Sequence, residues 1–208
     1  MRSIVRLFDQ SLRKVQGVFE YWDDSDCMFR VSRSRAPHSI FLPDSEIPEG
    51  AEVLLLHFWN EHMPQIPPEG PNLTLAMRAA RMLKASFRAL AHEIQHNPGL
   101  ADVKAVGGIG VLIYPDAGPG AEKLLRRLGF SIFPYRHPLG RFGEFWENLY
   151  TWGLIWTFNR VSLRQRHLLR LYRSELWMSI DTLMRLHGQN RVPLQREAQQ
   201  PNKAPIAE

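Results

Sequence analysis

Residues 91–100 read AHEIQHNPGL, and His92-Glu93-Ile94-Gln95-His96 within them is an H-E-x-x-H. On a helix this spacing sets two imidazoles one turn apart as zinc ligands, with the glutamate between them as a general base. A zinc-dependent hydrolase using HEIQH is therefore one expectation. Its surroundings argue for a plainer role. Ala76, Ala79, Leu83, Phe87, Leu90 and Ile94 recur at helical steps and define a core-facing stripe. At about 100° per residue, His92 lies about 180° from Leu83, and His96 only about 40° further round. Arg78, Arg81 and Arg88 share that outer face, and guanidinium groups repel a dication. A zinc site also needs a third ligand and acceptors behind its histidines, and the longer H-E-x-x-H-x-x-G-x-x-H form is absent. HEIQH is read as a solvated helix end whose histidines complement the helix dipole. His92 and His96 remain the metal candidates, with no metal or other cofactor expected.

A second constellation follows from strand ends. In open α/β sheets, ligands bind beyond the carboxyl ends of the strands. VLLLHFW at 53–59 is a continuous apolar run that puts Val53, Leu55, His57 and Trp59 on one face. Asn60 leaves its end, Asp116 follows the strand reaching Tyr114, and Arg136 follows the one reaching Tyr135. His57, Asn60, Asp116 and Arg136 are thus candidates for one pocket, with His62 and His137 at its rim. The chemistry would be a general acid/base histidine, with Asn60 and Asp116 beside it and Arg136 binding an anion. The plain alternative is a buried, hydrogen-bonded His57 among loop caps.

Two glycine groups add little. Gly107-Gly108-Ile109-Gly110 lies inside a strand-like run rather than opening a helix, so close packing or a bulge explains it better than a dinucleotide. Asp116-Ala117-Gly118-Pro119-Gly120 precedes a helix and reads as a turn, with a phosphate at the helix N-terminus as the alternative.

The elements that position these residues are legible from periodicity. Residues 1–22 carry apolar positions at helical spacing between Arg2, Arg6, Arg13 and Lys14, and Asp23-Asp24-Ser25-Asp26 ends them as a polar turn. Strands are expected at 29–35, 39–42, 53–59, 105–114 and 130–135, with turn residues over 43–50. The clearest helix runs from 72 to 96, capped by Asn72 or Thr74 and stopped by Asn97-Pro98-Gly99. A short helix at 119–128 has Pro119 in its first turn and Gly129 at the left-handed position after its end. Beyond it the chain reads as helical: an aromatic segment at 142–158, then a long helix from the capping box of Ser162 and Gln165 to about His187. The fold class is α/β (or α+β): one mixed sheet of about five strands with a long crossover helix, flanked by N-terminal and C-terminal amphipathic helices. Residues 1–188 form a single domain, and 189–208, with Pro193, Pro201 and Pro205, a disordered tail.

Composition bounds the partners. The 44% apolar and 23% charged residues suit a globular protein, and the net charge of +5 favours anionic surfaces. One cysteine, Cys27, rules out an internal disulfide and agrees with a reducing compartment. No signal peptide is read at the N-terminus, and the apolar run at 149–158 is too short to span a bilayer. Phe145, Trp146, Tyr150, Trp152, Trp156 and Phe158 are followed by Arg160, Arg164, Arg166, Arg170 and Arg173. Aromatics beside arginines suit an anionic lipid interface, which makes Arg164, Arg166, Arg170 and Arg173 the membrane-surface candidates. The preferred reading lets the same aromatics cover the sheet. The positive charge is not gathered into a nucleic-acid module, so no nucleic-acid partner is expected.

A strand pair, the strand with LHFWN, a long helix, GGIGVLIY, KLLRRLGFSIFP and an aromatic segment follow in an order that resembles the bacterial YkoP-like family over about residues 1–160. Some relatives of that family occur with polysaccharide deacetylase modules, so the resemblance implies a cell-envelope glycan or lipid context. KLLRRLGF also looks like the last helix–strand of GNAT-type acetyltransferases. The Q/R-x-x-G-x-G/A loop that binds the CoA pyrophosphate is missing, so no CoA-binding residue is carried over. The expected protein is an accessory or binding protein of envelope glycan/lipid metabolism, cytoplasmic with peripheral association at the inner membrane. Its expected partners are an anionic lipid or a phosphorylated or glycan ligand. The zinc hydrolase and a GNAT-like acyltransferase are the alternatives.

Overall fold

The computed structural model describes residues 17–59, 61–65, 67, 70, 72–110, 119–135, 137, 139–158 and 173–188. The chain first forms β1 (Phe29–Arg35), β2 (Ile40–Phe41), β3 (Glu46–Ile47) and β4 (Glu52–Phe58). The long helix α1 (Leu73–His96) follows, then a 3-10 turn at Pro98–Leu100, β5 (Ala105–Gly110) and α2 (Pro119–Arg127). Last come β6 (Ser131–Pro134), α3 (Gly140–Phe158), β7 (Ser174–Ser179) and α4 (Ile180–His187). The main sheet is mixed, in the order β1-β4-β5-β7-β6. β4 and β5 run parallel and are joined through α1, whereas the pairs β1–β4, β5–β7 and β6–β7 are antiparallel. This is the expected mixed five-stranded sheet with its crossover helix.

Strand alternation divides the core in two. Val31, Leu54, Val106, Leu176 and Met178 point to the face where Phe87, Leu90 and Ile94 of α1 pack with Leu183 of α4. Val53, Ala105 and Trp177 point to the other face, where Ile40 and Ile47 of the β2–β3 hairpin cover them. Both cores are buried and apolar, so a large-to-small change in either costs about 2–5 kcal/mol.

α1 begins where its sequence says. The Asn72 side chain accepts from the Leu75 N–H at 2.9 Å, a cap worth about 1 kcal/mol. Burial starts only at Met82, and Leu73 and Met77 are exposed. Ala76 is exposed and Ala79 half-buried, so the first turns project past the sheet instead of extending the core stripe. Ser86 on the same helix is fully buried. It accepts from the Met28 N–H at 2.8 Å and donates to the Met82 carbonyl, while Tyr21 donates to the Ser86 carbonyl. Burial raises both the Tyr21 hydroxyl and the Cys27 thiol above their ordinary values, so the two stay neutral in this packed seam.

Three expectations need correction. The helix expected at 1–22 does not extend through 17–22: Phe19 bridges Val31 as a strand partner, and residues 1–16 lie outside the described residues. The short strand at 40–41 is not part of the main sheet but pairs with β3, which turn residues had masked. Most consequential, the helix expected from Ser162 to His187 contains β7. Residues Ser174–Ser179 enter the sheet between β5 and β6 and carry Leu176 and Met178 to one core, Trp177 to the other. Leu, Met and Glu favour helix in isolation, and burial on both faces overrides that preference. The tail at 189–208 lies outside the described residues.

Two glycines are required by this packing. A Cβ on Gly107 would run into the Leu176 carbonyl and the Trp177 indole, so GGIG is a close-approach strand, as its sequence position suggests. Gly129 has φ +103°, and its N–H closes α2 on the Arg126 carbonyl.

Candidate functional site

His57 lies near the end of β4, half-buried, on the face of Val53 and Leu55. The register sets Arg30 opposite His57 and Ser32 opposite Leu55, so Ser32 is a same-face diagonal neighbour. The Ser32 Oγ meets His57 Nε2 at 2.8 Å. This is the distance of a nucleophile–base pair, but Ser32 is only 3% exposed. The bond therefore serves as a tie between β1 and β4. Arg30 packs its guanidinium 4.1 Å from the Trp59 ring centre and pairs with Glu20 at 2.9 Å and Glu61 at 3.6 Å. Of the expected pocket, Asn60, Asp116 and Arg136 lie outside the described residues. The rim histidines belong to different neighbourhoods. His62 stacks on Trp59 and bonds the Cys27 carbonyl through Nδ1, while His137 sits against α3, 3.7 Å from Glu147.

The HEIQH residues occupy the last turn of α1. His92 and His96 are exposed and stack on each other at 4.1 Å, and His96 Nδ1 bonds the His92 carbonyl at 2.8 Å. Glu93 accepts from the Asn97 side-chain amide at 2.7 Å, so it serves the helix terminus. Among the described residues no three His, Cys, Asp or Glu side chains gather to hold a metal.

Arg173 departs from its expected membrane-facing role. Its side chain is 7% exposed and turned into α3. Nε lies 3.4 Å from the Glu147 carboxylate, and the two terminal nitrogens donate to Asn148 Oδ1 and, at 3.0 Å, to Thr151 Oγ1. Tyr135 donates to the same Glu147 at 3.3 Å. Burial, reinforced by the Glu147 charge, pushes the Tyr135 hydroxyl up to about 12. Gly143 lies directly beneath the His137 ring. The inner stripe of α3 is thus Gly143, Glu147, Asn148 and Thr151.

The outer stripe of α3 is apolar. Phe142 is 69% exposed and Trp146 54%, with Phe145 and Leu149 beside them and Leu139 just before the helix. Phe142 and Phe145 both meet the Trp146 ring edge-on. The two stripes lie roughly 165° apart at the helical angle per residue. Phe145 and Trp146 therefore stand away from the sheet they were expected to cover, because the polar anchors to Arg173 and Tyr135 take the inner side. Arg164, Arg166 and Arg170 lie outside the described residues.

A cavity of about 440 Å³ opens where the loop after β2 meets the end of α2 and the β7–α4 junction. Asp44, Arg126, Arg127, Ser131, Thr182 and Arg185 contribute its polar groups. Asp44 accepts from Thr182 Oγ1 at 2.7 Å and from Ser179 Oγ, which also caps α4 by accepting from the Thr182 N–H. Burial alone would raise the Asp44 carboxyl. The hydroxyls of Ser179 and Thr182, with its own backbone and Ser45, outweigh it and hold the group below the ordinary carboxylate value. Sequence reasoning missed this cavity because its arginines sit in the last turns of two helices, where basic residues need no ligand to explain them. What brings them together is the unexpected strand β7.

These features define an α/β domain built on one mixed sheet, with an inside-out helix displayed at the β6–β7 end. The chain matches the YkoP domain model over residues 1–187 and belongs to that family. No curated protein and no solved structure matches it.

Proposed function

We propose that this YkoP-domain protein is an accessory or binding protein of cell-envelope glycan and lipid metabolism, held peripherally at the cytoplasmic surface of the inner membrane. The observation that supports the reading is the exposed stripe of Phe142, Phe145, Trp146 and Leu149. A water-facing aromatic stripe on a helix whose polar side is turned inward suits a bilayer interface, where aromatic rings lie at the headgroup level. The sequence continues the theme: from Asn148 to Ser174 there is no acidic residue, while Arg160, Arg164, Arg166 and Arg170 follow the helix. Each basic residue near an anionic leaflet adds about 1 kcal/mol of attraction. Among the described residues no helix is long and apolar enough to cross a membrane, so association of this part would be along the surface. The envelope context comes from the family resemblance. No observation of comparable weight favours the zinc hydrolase or the acyltransferase. Cosedimentation with vesicles of defined charge, using α3 variants, tests the proposal.

A further inference from the structure

We propose that the cavity between the loop after β2, α2 and α4 binds a phosphate monoester on a hydroxyl-bearing carrier, as in a sugar phosphate or a phosphorylated lipid headgroup. The inference uses residues separate from the outer stripe of α3, so it stands or falls independently of membrane association. A volume of about 440 Å³ is that of a small-molecule site. Its charge is unbalanced in a particular way. Arg126 is paired with Glu122 at 2.9 Å, but Arg127 and Arg185 have no acidic partner among the described residues. Arg185 spends one donor on Thr182 at 3.1 Å and keeps the rest of its fork. Two such guanidinium groups match the roughly −1.5 to −2 charge of a phosphate monoester and offer it paired donors.

Asp44 narrows the choice. Ser179 and Thr182 occupy one carboxylate oxygen; the other meets the Ser45 hydroxyl at 3.4 Å. The fixed anion repels polyanions and accepts a hydrogen bond from a hydroxyl group. Ser131 of β6 lies on the same wall. A ligand with one phosphoryl group and neighbouring hydroxyls satisfies both ends, whereas a bare anion satisfies only one.

The test is calorimetric titration of the full chain with glucose 6-phosphate, inorganic phosphate and glucose, beside vesicles containing phosphatidic acid (a monoester) or phosphatidylglycerol (a diester). The wild type should bind glucose 6-phosphate more tightly than phosphate and should not bind glucose, or should prefer phosphatidic acid to phosphatidylglycerol. The first result marks a soluble ligand, the second a lipid headgroup. Arg127→Ala/Arg185→Ala, at exposed positions that spare the core, should weaken that binding by about tenfold or more. Arg127→Lys should recover part of it. No glucose 6-phosphate binding together with equal binding to both vesicles overturns the proposal. So does glucose 6-phosphate binding, or a preference for phosphatidic acid over phosphatidylglycerol, that the double variant leaves unchanged.

Discussion

The Arg173 guanidinium stands 3.4 Å from the Glu147 carboxylate and fastens the start of β7 to the middle of α3. With the bonds to Asn148 and Thr151, this contact turns the polar stripe of α3 inward and leaves Phe142 and Trp146 facing water. The orientation of the proposed membrane-binding surface thus depends on a buried arginine.

Replacing Arg173 should therefore do more than remove a surface charge. Among the described residues, Arg173→Met leaves Glu147 with the Tyr135 hydroxyl and His137 as its partners. Loss of one partner from a buried pair costs about 3–5 kcal/mol; the partial exposure of Glu147 reduces this to about 1–3 kcal/mol. Urea denaturation should show that loss, and limited proteolysis should cut first within α3. An unchanged urea midpoint would mean that α3 is held by other contacts.

His187 gives the fold a pH response. It is buried against Phe87, with Nε2 3.1 Å from the Leu128 carbonyl and Nδ1 lacking a hydrogen-bond partner among the described residues. Burial first, and the charges of Arg88 and Lys84 next, hold its imidazole below the ordinary 6.5. The unfolded chain then takes up the proton before the folded one. Stability is full above the unfolded value and declines as pH falls through about 6.5 towards the lower folded value. Urea midpoints should drop over that window, and less steeply in His187→Leu. Equal slopes in the two proteins would remove His187 from the account.

The HEIQH segment should prove dispensable. His92→Ala and His96→Ala alter exposed side chains at a helix end, and each should change stability by no more than about 0.5 kcal/mol. Elemental analysis of purified protein should find no stoichiometric zinc. Stoichiometric zinc that disappears in His92→Ala would restore the hydrolase.

How much of this could be read from residues alone depended on where the determining contacts lie. α1 was legible because its cap, its stripe and its stop are all local: Asn72, Phe87 with Leu90, and Asn97-Pro98-Gly99. Gly129 was equally clear, since a left-handed residue after a helix needs only its neighbours. β7 was hidden because each neighbour that makes it a strand is distant: Gly107 on one side, Ser131 on the other. Glu175 added to the disguise, as a carboxylate inside a sheet reads as helix until the Trp177 indole N–H and His38 are seen beside it. The cavity was hidden for the same reason, its walls coming from three segments that β7 gathers. His57 was placed on the correct face by alternation, but its partner Ser32 depends on strand register, which periodicity does not supply.

The most direct test of the central proposal is cosedimentation of the protein with phosphatidylglycerol-containing and purely phosphatidylcholine vesicles at low and high salt. The account predicts binding to the anionic vesicles, a blue shift of Trp146 emission, and weakening by salt. Phe142→Ser/Trp146→Ser should abolish binding without loss of fold, because both side chains already face water. Absence of binding at low salt, or binding that the double variant retains in full, would contradict it.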